Sequence, residues 1–334
     1  MDSQILLRLG WGALRYRLWG ARAPLNVMVA VTNRCPARCV YCDIPARKQQ
    51  ERTTAELLDL VDLLADRGCA RIGFWGGEPL VRQDLPRILA RVRRRHLWCS
   101  VVTNGWLLPR RAPELRGVDH FLISLDGRPE NHDAQRGEGA YAKVLRALRY
   151  ATDHHLPFWT ITVLTQKNLD DIPFVLDLAE RYGFRATFQL LHHSTELAGT
   201  AGNRLQAGEA TRAALRQLKA AKAAGRPVAM SDRVLDYLIK WPDYQKNTLP
   251  GVHDDLPCLA GKLYANVDAD GRLYPCSLRV GQPGAPLACH PLPMDQLTHP
   301  GCEACLATAF TEYNALFGLD PATITGWVRR LARP

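Results

Sequence analysis

The sequence predicts an α/β fold built on a partial (β/α)6 barrel of the TIM type. From residue 25 onward, short apolar runs rich in β-branched residues alternate with helical patterns, which is typical of a parallel sheet. Because six strand–helix units are visible rather than eight, we expect a barrel that is open on one side. The predicted strands are Asn26–Val31, Arg71–Phe74, Cys99–Thr103, Phe121–Leu125, Trp159–Leu164 and Ala186–Leu190. The predicted helices between them are Thr54–Asp66, Leu85–Arg95, Tyr141–His155 and Ile172–Tyr182, with a weaker one at Arg110–Leu115.

An N-terminal segment, residues 1–24, precedes this predicted barrel, which spans residues 25–240 and includes a late helix at Glu209–Ala224. The N-terminal segment contains an amphipathic helix predicted over residues 4–20. We expect this helix to pack on the main domain. Peripheral contact with a membrane surface through its Trp and Arg side chains is the alternative. Its apolar residues follow helical spacing: Leu7, Trp11, Leu14 and Leu18.

A C-terminal part, residues 241–334, is predicted to form a linker and a small second unit. The segment Trp241–Pro257 is rich in Pro, Asp and Asn, a composition typical of a linker. Beyond it, Lys262–Val267 and Arg272–Cys276 flank a turn at Asp268–Gly271. Two short apolar runs around such a turn predict a β-hairpin.

Composition limits the classes of function. The chain has 334 residues, 47% of them hydrophobic and 23% charged, with a formal net charge of +10. We interpret the positive charge first as a solvated basic surface and second as a surface for an acidic redox partner. We expect no binding of nucleic acid, since no long basic tract is present. The ten cysteines point to metal or redox chemistry in a cytoplasmic protein, because no secretion signal or membrane span is visible.

Three cysteines follow the first predicted strand directly. Cys35, Cys39 and Cys42 have the spacing Cys-x3-Cys-x2-Cys, and thiolates are soft ligands suited to iron–sulfur clusters. Three thiolates on one loop can hold three corners of a [4Fe–4S] cluster and leave one iron open. A structural zinc site would require a fourth ligand, and no obvious local one follows Cys42. The loop also lies at the carboxyl end of a strand, where α/β barrels place their chemistry.

The stretch Thr32–Asp43, TNRCPARCVYCD, resembles the signature of the radical S-adenosylmethionine (radical SAM) superfamily. The resemblance implies that the three cysteines hold a catalytic [4Fe–4S] cluster whose open iron chelates S-adenosylmethionine. It also implies that the cofactor is cleaved to methionine and a 5′-deoxyadenosyl radical, which abstracts a substrate hydrogen. Tyr41 would lie near the adenine. An electron donor such as flavodoxin or ferredoxin is implied as partner.

A glycine-rich turn after the second predicted strand strengthens the resemblance. Gly76, Gly77, Glu78 and Pro79 match the GGEP motif of the same superfamily, which contacts the methionine amine. Glycines let backbone carbonyls approach an ammonium closely, and a carboxylate nearby favours its charge. A plain strand-to-helix turn is the alternative interpretation.

Two further strand ends resemble the branch of the superfamily that carries C-terminal cluster domains. Ser124 and Asp126 close the fourth strand, and Arg136 follows ten residues after Asp126. The resemblance places the serine near the cofactor's ribose or carboxylate and pairs the arginine with the carboxylate, a bidentate task suited to a guanidinium. Asn104 ends the third strand and either contacts the cofactor or builds the turn. Asp126 either contacts substrate or caps its turn.

A second group of cysteines lies in the C-terminal part: Cys258, Cys276, Cys302 and Cys305. From spacing alone, four thiolates suit either zinc or a [4Fe–4S] cluster. The pattern is similar to the first half of the SPASM domain and to the shortened twitch domain, which implies one auxiliary [4Fe–4S] cluster held by these four residues. A full SPASM domain has further cysteines, and residues 306–334 contain none. Cys289 is an alternative ligand.

The remaining candidates carry weaker signals. Cys69 and Cys99 are predicted to be buried thiols rather than ligands. His192 and His193 follow the sixth strand and either face the substrate or lie in an ordinary loop.

These residues predict a radical enzyme acting on a small molecule or a peptide, whose auxiliary cluster supports substrate oxidation or C–C or C–S bond formation. The rival hypothesis is a regulatory or nucleic-acid-binding protein with zinc or iron–sulfur sites and no radical chemistry. It explains the cysteines and the positive charge, but not the placement of the other motifs at strand ends.

Overall fold

The computed structural model describes residues 3–192, 197, 205, 208–282, 284–286, 294, 297 and 302–331. Its centre is a sheet of six parallel strands in the order β1 to β6, each hydrogen-bonded to the next. Helices follow the strands as the sequence predicts, so the α/β partial-barrel fold is confirmed. The six strands are β1 (Asn26–Thr32), β2 (Arg71–Gly76), β3 (Trp98–Thr103), β4 (His120–Ser124), β5 (Phe158–Leu164) and β6 (Arg185–Leu190).

Several helices surround the sheet, and some of them lack a clear signal in the sequence. The weak helix predicted at Arg110–Leu115 is one α-helical turn followed by a 3-10 turn. No helix was predicted at α5, α9, α10 or α11. The helices are α1 (Ser3–Trp19), α2 (Thr54–Asp66), α3 (Leu85–Arg94), α4 (Leu108–Arg111), α5 (Pro129–Arg136), α6 (Ala140–Asp153), α7 (Ile172–Tyr182), α8 (Glu209–Ala223), α9 (Asp232–Ile239), α10 (Thr308–Phe317) and α11 (Pro321–Leu331).

Local chemistry explains where α2 begins and how it packs. Thr53 and Glu56 form a capping box, in which each side chain bonds the other residue's backbone N–H, so two N–H groups that the helix cannot satisfy gain partners. Along the helix, Leu57, Val61 and Leu64 are buried against the sheet in the main core. This spacing of about one helical turn is the pattern that the sequence shows.

The predicted hairpin forms and extends the barrel sheet. Strand β8 (Tyr264–Val267) pairs in parallel with β1 over Asn26 to Val29. Strand β9 (Arg272–Tyr274) then pairs antiparallel with β8, and β10 (Ala285–Pro286) pairs antiparallel with β9. These three strands and the six of the barrel thus form one nine-stranded sheet that crosses from the barrel into the C-terminal part. The division of the chain at residues 24/25 and 240/241 stays a prediction.

The segment predicted as a linker is folded against the rest of the chain. Trp241 and Tyr244 are buried, and β7 (Thr248–Leu249) pairs antiparallel with β11 (Ala304–Cys305). The polar composition of the segment predicted a solvated linker. Its aromatic side chains are stabilised by burial, however, and this burial folds the segment against the protein.

The N-terminal helix packs on the protein with a different face from the one predicted. Ile5, Leu9 and Ala13 are buried in a cluster with Leu25. A Cβ on Gly12 would lie 2.2 Å from the Leu25 side chain, so glycine permits this close approach. The helix therefore packs on the protein as expected, but the apolar residues whose spacing predicted it, Leu7, Trp11, Leu14 and Leu18, are exposed.

A buried ion pair joins the cysteine loop to the hairpin. Arg47, which follows the three cysteines, donates from Nη1 to Asp268 Oδ1 over 2.9 Å, and both side chains are buried. Asp268 lies in the turn between β8 and β9. A buried pair contributes little net stability by itself, but losing one partner leaves an uncompensated charge.

We expect Arg47→Ala to lower the free energy of unfolding by about 3–5 kcal/mol, because it leaves the Asp268 carboxylate buried without its cation. Urea unfolding of the full chain measures this. Arg272→Ala is the matched control, since Arg272 lies on the same hairpin and is exposed, and its effect should stay within about 0.5 kcal/mol. Equal effects of the two substitutions would contradict the structural role of the pair.

Candidate active site

The carboxyl ends of the first four strands surround one cavity. It encloses about 610 Å³ of space that is open to solvent. The motif residues predicted from strand-end placement meet here because the carboxyl ends of parallel strands lie at one edge of the sheet. Residues that line the cavity are Cys35, Ala37, Cys39, Tyr41, Cys42, Pro45, Trp75, Gly76, Gly77, Val102, Thr103, Asn104, Ser124 and Arg136. Glu78, Pro79 and Asp126 are not among them.

The three predicted cluster ligands share this cavity. Burial raises the pKa of Cys35 to about 11 and that of Cys42 to about 12, and it also raises the pKa of Cys39. Two side chains direct N–H groups at the sulfurs: Asn104 Nδ2 lies 3.8 Å from Cys35 Sγ, and Arg136 Nη1 lies 4.0 Å from Cys39 Sγ. Both donors favour a thiolate, the form in which cysteine binds metal.

This donor set fits a cluster with three protein ligands. Among the described residues, the cavity lining contains three thiols and no fourth cysteine, histidine or carboxylate, which suits a cube with one open iron better than a closed zinc site. In the chain as far as it is described, no three His, Cys, Asp or Glu side chains lie close enough to share a single metal ion.

The two glycines of the second motif let β2 end against the cysteine loop. Gly76 has a φ of +124°, and a Cβ on it would lie 2.3 Å from the Thr32 carbonyl oxygen. A Cβ on Gly77 would lie 2.3 Å from the Arg34 carbonyl oxygen. Any side chain at either position would therefore displace the backbone that carries Cys35. The predicted approach of these residues to a ligand ammonium stays a prediction.

Glu78 lies behind the cavity wall and joins the ends of β2 and β3. Its carboxylate is fully buried and accepts hydrogen bonds from Leu80 N at 3.0 Å, Thr103 Oγ1 at 2.8 Å and Asn104 N at 2.7 Å. Burial raises its pKa to about 7. Glu78 thus orients Asn104, whose side chain reaches Cys35. Pro79 is buried at the start of a short 3-10 turn.

Asp126 is the centre of a buried network that positions two cavity residues. Its Oδ2 accepts from the Tyr41 hydroxyl at 2.6 Å and from Arg136 Nε at 2.6 Å, and its Oδ1 accepts from Val163 N at 2.8 Å. Burial alone would raise the pKa of Asp126, but the adjacent Arg136 guanidinium lowers it. In this structure Arg136 is paired with Asp126. Asp126 does not line the cavity; it holds the side chains of Tyr41 and Arg136 in place.

His132 and Trp75 also belong to the site, although neither was predicted from the sequence as a site residue. His132 Nδ1 accepts from the Asp126 backbone N–H at 3.0 Å, and burial lowers the pKa of this histidine to about 4, so the ring is neutral at pH 7. Trp75 lines the cavity beside Gly76, and its position next to the motif at a strand end is the signal that identifies it.

The weaker candidates lie outside the cavity or outside the described residues. Cys69 and Cys99 are fully buried in the main core, so their prediction as buried thiols is confirmed. His192 is half-buried beside Gln189 Nε2, at 3.3 Å. His193 and Cys289 lie outside the described residues.

The second group of cysteines also comes together. Burial, followed by the neighbouring Cys258 thiol, raises the pKa of Cys276 to about 12. The pKa of Cys305 is raised well above its usual range by burial and, next, by the Cys258 and Cys276 thiols. Cys302 also raises the pKa of each of the other three thiols. The hydroxyl of Tyr264 lies 3.9 Å from Cys258 Sγ. The fold thus brings four thiols that span 48 residues of sequence close enough for their charges to interact.

The fold and its cavity define an α/β-barrel protein in which three cysteine thiols lie at the carboxyl edge of the sheet. Comparison with known proteins gives the family. Residues 29–179 match the model of the radical SAM superfamily. A PqqA peptide cyclase of Granulibacter bethesdensis is 30% identical over 268 residues, covering 76% of this chain and 67% of the relative. The chain belongs to the radical SAM superfamily and is a radical SAM enzyme.

Two further similarities differ in how much of the chain they cover. An Fe-coproporphyrin III synthase of Methanosarcina barkeri is 35% identical over 157 residues, which are 45% of this chain and 39% of that protein. The solved structure of native anSMEcpe with bound AdoMet and the Kp18Cys peptide has a TM-score of 0.60 at 20% identity, covering 77% of this chain and 75% of that chain. The second similarity supports the fold. The rival hypothesis of a regulatory protein without radical chemistry is not favoured.

Proposed function

We propose that this radical SAM enzyme modifies a peptide, and that the four C-terminal cysteines hold one auxiliary [4Fe–4S] cluster. The similarity to a relative named PqqA peptide cyclase supports the peptide substrate, because it extends over 268 residues and so reaches beyond the 29–179 region that the superfamily model matches. The electrostatic interactions among the four C-terminal thiols, of which all but the half-buried Cys258 are buried, support the auxiliary site.

The cavity carries the first part of the proposal. Cys35, Cys39 and Cys42 would hold the catalytic cluster, which would supply the electron for cleavage of S-adenosylmethionine to methionine and a 5′-deoxyadenosyl radical. Around it, Tyr41 provides an aromatic wall held in place by Asp126, which suits the adenine. Ser124 and Arg136 present polar groups to the same cavity and suit the cofactor's ribose and carboxylate.

Glu78 acts in this proposal as a positioning residue. Two of its three hydrogen bonds hold Thr103 and Asn104, so that the Asn104 amide points at Cys35. Gly76 and Gly77 contribute backbone groups that line the cavity without side chains, leaving room for the methionine amine.

A small-molecule substrate is the second candidate, since the Fe-coproporphyrin III synthase is 35% identical to part of this chain. The peptide is preferred because that match covers only 45% of the chain, against 76% for the peptide cyclase.

A product assay tests the choice between the two. Reconstituted, reduced enzyme is incubated anaerobically with S-adenosylmethionine and with short peptides encoded beside its gene. We expect one peptide to lose a pair of hydrogen atoms, as formation of a C–C or C–S bond or an oxidation requires. If porphyrin precursors are converted and no peptide is, the peptide assignment is wrong. Flavodoxin and ferredoxin are compared as electron donors in the same assay.

Replacing Cys302 and Cys305 together by alanine tests the auxiliary site. We expect about half the iron to be lost, because one of the two clusters can no longer bind. Cleavage of S-adenosylmethionine should persist, but the peptide should not be converted. The C-terminal part should also become more sensitive to protease, because so small a unit has little core of its own.

Cys99→Ala is the matched control, because it removes a buried thiol that lies outside both cysteine groups, and its iron content should be unchanged. Anaerobic metal analysis that finds zinc in the C-terminal site, with product still formed, would contradict an auxiliary iron–sulfur cluster.

A further inference from the structure

The outward face of α1 is an exposed apolar surface. Of the eight large apolar side chains that are exposed in the described part of the chain, six lie on this helix. Leu7 is 72% exposed, Trp11 56% and Trp19 65%. We call Leu7, Trp11, Leu14, Leu18 and Trp19 the α1 stripe. A concentration of apolar surface on one element marks an interaction site more often than scattered residues do.

Packing of the helix does not require the stripe. The opposite face, with Ile5, Leu9 and Ala13, attaches α1 to the protein, and Arg8 donates to the backbone carbonyls of Cys69 and His96. Within the stripe, the Trp11 and Trp19 rings lie 6.2 Å apart in an edge-to-face arrangement. The helix is therefore firmly held and presents this surface outward.

Most of the charged side chains around the stripe are positive. Helix α1 contains Arg8, Arg15 and Arg17 and no acidic residue. Beside it, a cleft with about 690 Å³ of space open to solvent is lined by Arg15, Arg22 and Arg67, together with Asp66 and small residues. Arginine beside exposed Trp and Leu on one helix is the composition of helices that lie in the interface of a bilayer.

We propose that α1 binds the surface of an anionic phospholipid bilayer. The α1 stripe enters the boundary between headgroups and acyl chains, where Trp is favoured, and the flanking arginines contact lipid phosphates. Among the described helices none is long and apolar enough to cross a membrane, so α1 lies along the surface.

Charge favours a bilayer over a second copy of the chain as the occupant. A two-fold interface through the α1 stripe would bring like surfaces together and place Arg15 and Arg17 of one copy near those of the other. Like charges at such an interface oppose association, whereas the same arginines are attracted to anionic lipid.

The placement of α1 leaves the cavity accessible. The helix contacts Cys69 and His96, which precede β2 and β3 and so lie at the amino ends of the strands. The cavity lies at the carboxyl ends. Membrane attachment through α1 would therefore hold the open cavity away from the bilayer, and the inference does not depend on which substrate the enzyme uses.

Flotation of the full-length reconstituted enzyme with lipid vesicles tests the proposal. We expect it to float with vesicles of phosphatidylcholine and phosphatidylglycerol, and less with phosphatidylcholine alone. The variant Leu7→Gln/Trp11→Gln/Leu18→Gln should lose at least about tenfold in binding. Val252→Gln is the matched control, an exposed apolar residue elsewhere, and should bind as the parent does.

Charge and integrity are checked with two further measurements. Arg15→Gln/Arg17→Gln should remove the preference for phosphatidylglycerol. Cleavage of S-adenosylmethionine should be unchanged in all of these variants, which shows that they are folded. The proposal would be overturned if the parent floats with neither type of vesicle, or if the parent and the triple variant float equally. It would also be overturned if the parent does not bind vesicles but forms a dimer in solution that the triple substitution dissociates.

Discussion

Replacing Cys35, Cys39 and Cys42 together by alanine is expected to abolish formation of 5′-deoxyadenosine and to remove about half of the iron. The three thiols line one cavity, and none of the other cysteines that the structure describes lies there to hold the catalytic cluster. Reverse-phase chromatography of anaerobic reactions measures the nucleoside, and colorimetric iron and sulfide analysis measures the clusters.

The Cys302→Ala/Cys305→Ala variant serves as the complementary control, since it should lose the other part of the iron and still form the nucleoside. Continued formation of 5′-deoxyadenosine by the triple variant would show that the catalytic cluster is bound elsewhere.

Arg136→Ala is expected to cost about 3–5 kcal/mol of folding free energy in addition to weakening cofactor binding. The sequence motif predicts a contact with the cofactor alone, but in the structure Arg136 is buried and paired with the fully buried Asp126. Without the guanidinium, Asp126 would keep the Tyr41 hydroxyl and the Val163 N–H as partners and lose its only counter-charge in the described network. Chemical denaturation followed by circular dichroism measures the loss.

Two variants sharpen this test. Arg146→Ala removes an exposed arginine on the neighbouring helix α6 and should change stability by no more than about 0.5 kcal/mol. Asp126→Asn/Arg136→Gln removes both charges and should be less destabilised than the sum of the single substitutions, because the cost of the lone buried charge disappears. An Arg136→Ala protein as stable as Arg146→Ala would contradict the buried pair.

The cysteine loop and the strand-end motifs could be predicted from the sequence because their positions follow from topology. Once strands and helices alternate, the carboxyl ends of the strands meet at one edge, and Cys35, Gly76, Asn104 and Ser124 each follow or end a strand. Which of these side chains face the cavity was harder to predict. Glu78 is turned away because its carboxylate satisfies backbone and side-chain donors of β3, a partnership between distant residues that no local pattern encodes.

The N-terminal helix shows why periodicity alone can choose the wrong face. Two sets of residues on α1 follow helical spacing, and the larger side chains are in the exposed set. The buried set contains Gly12, which adds nothing to an apolar pattern but permits the contact with Leu25. Likewise, the hairpin was predictable from its turn, while its pairing with β1 depends on a contact between segments more than 200 residues apart.

Deuterium transfer tests the central claim most directly. The reduced enzyme is supplied with S-adenosylmethionine and with a peptide substrate deuterated at the modified position, and 5′-deoxyadenosine is analysed by mass spectrometry. A radical SAM enzyme that acts on this peptide will place one deuterium in the nucleoside for each peptide modified. Modified peptide with no deuterium in the nucleoside, or with no nucleoside formed, would contradict hydrogen abstraction from the peptide at the cavity bounded by Cys35, Cys39 and Cys42.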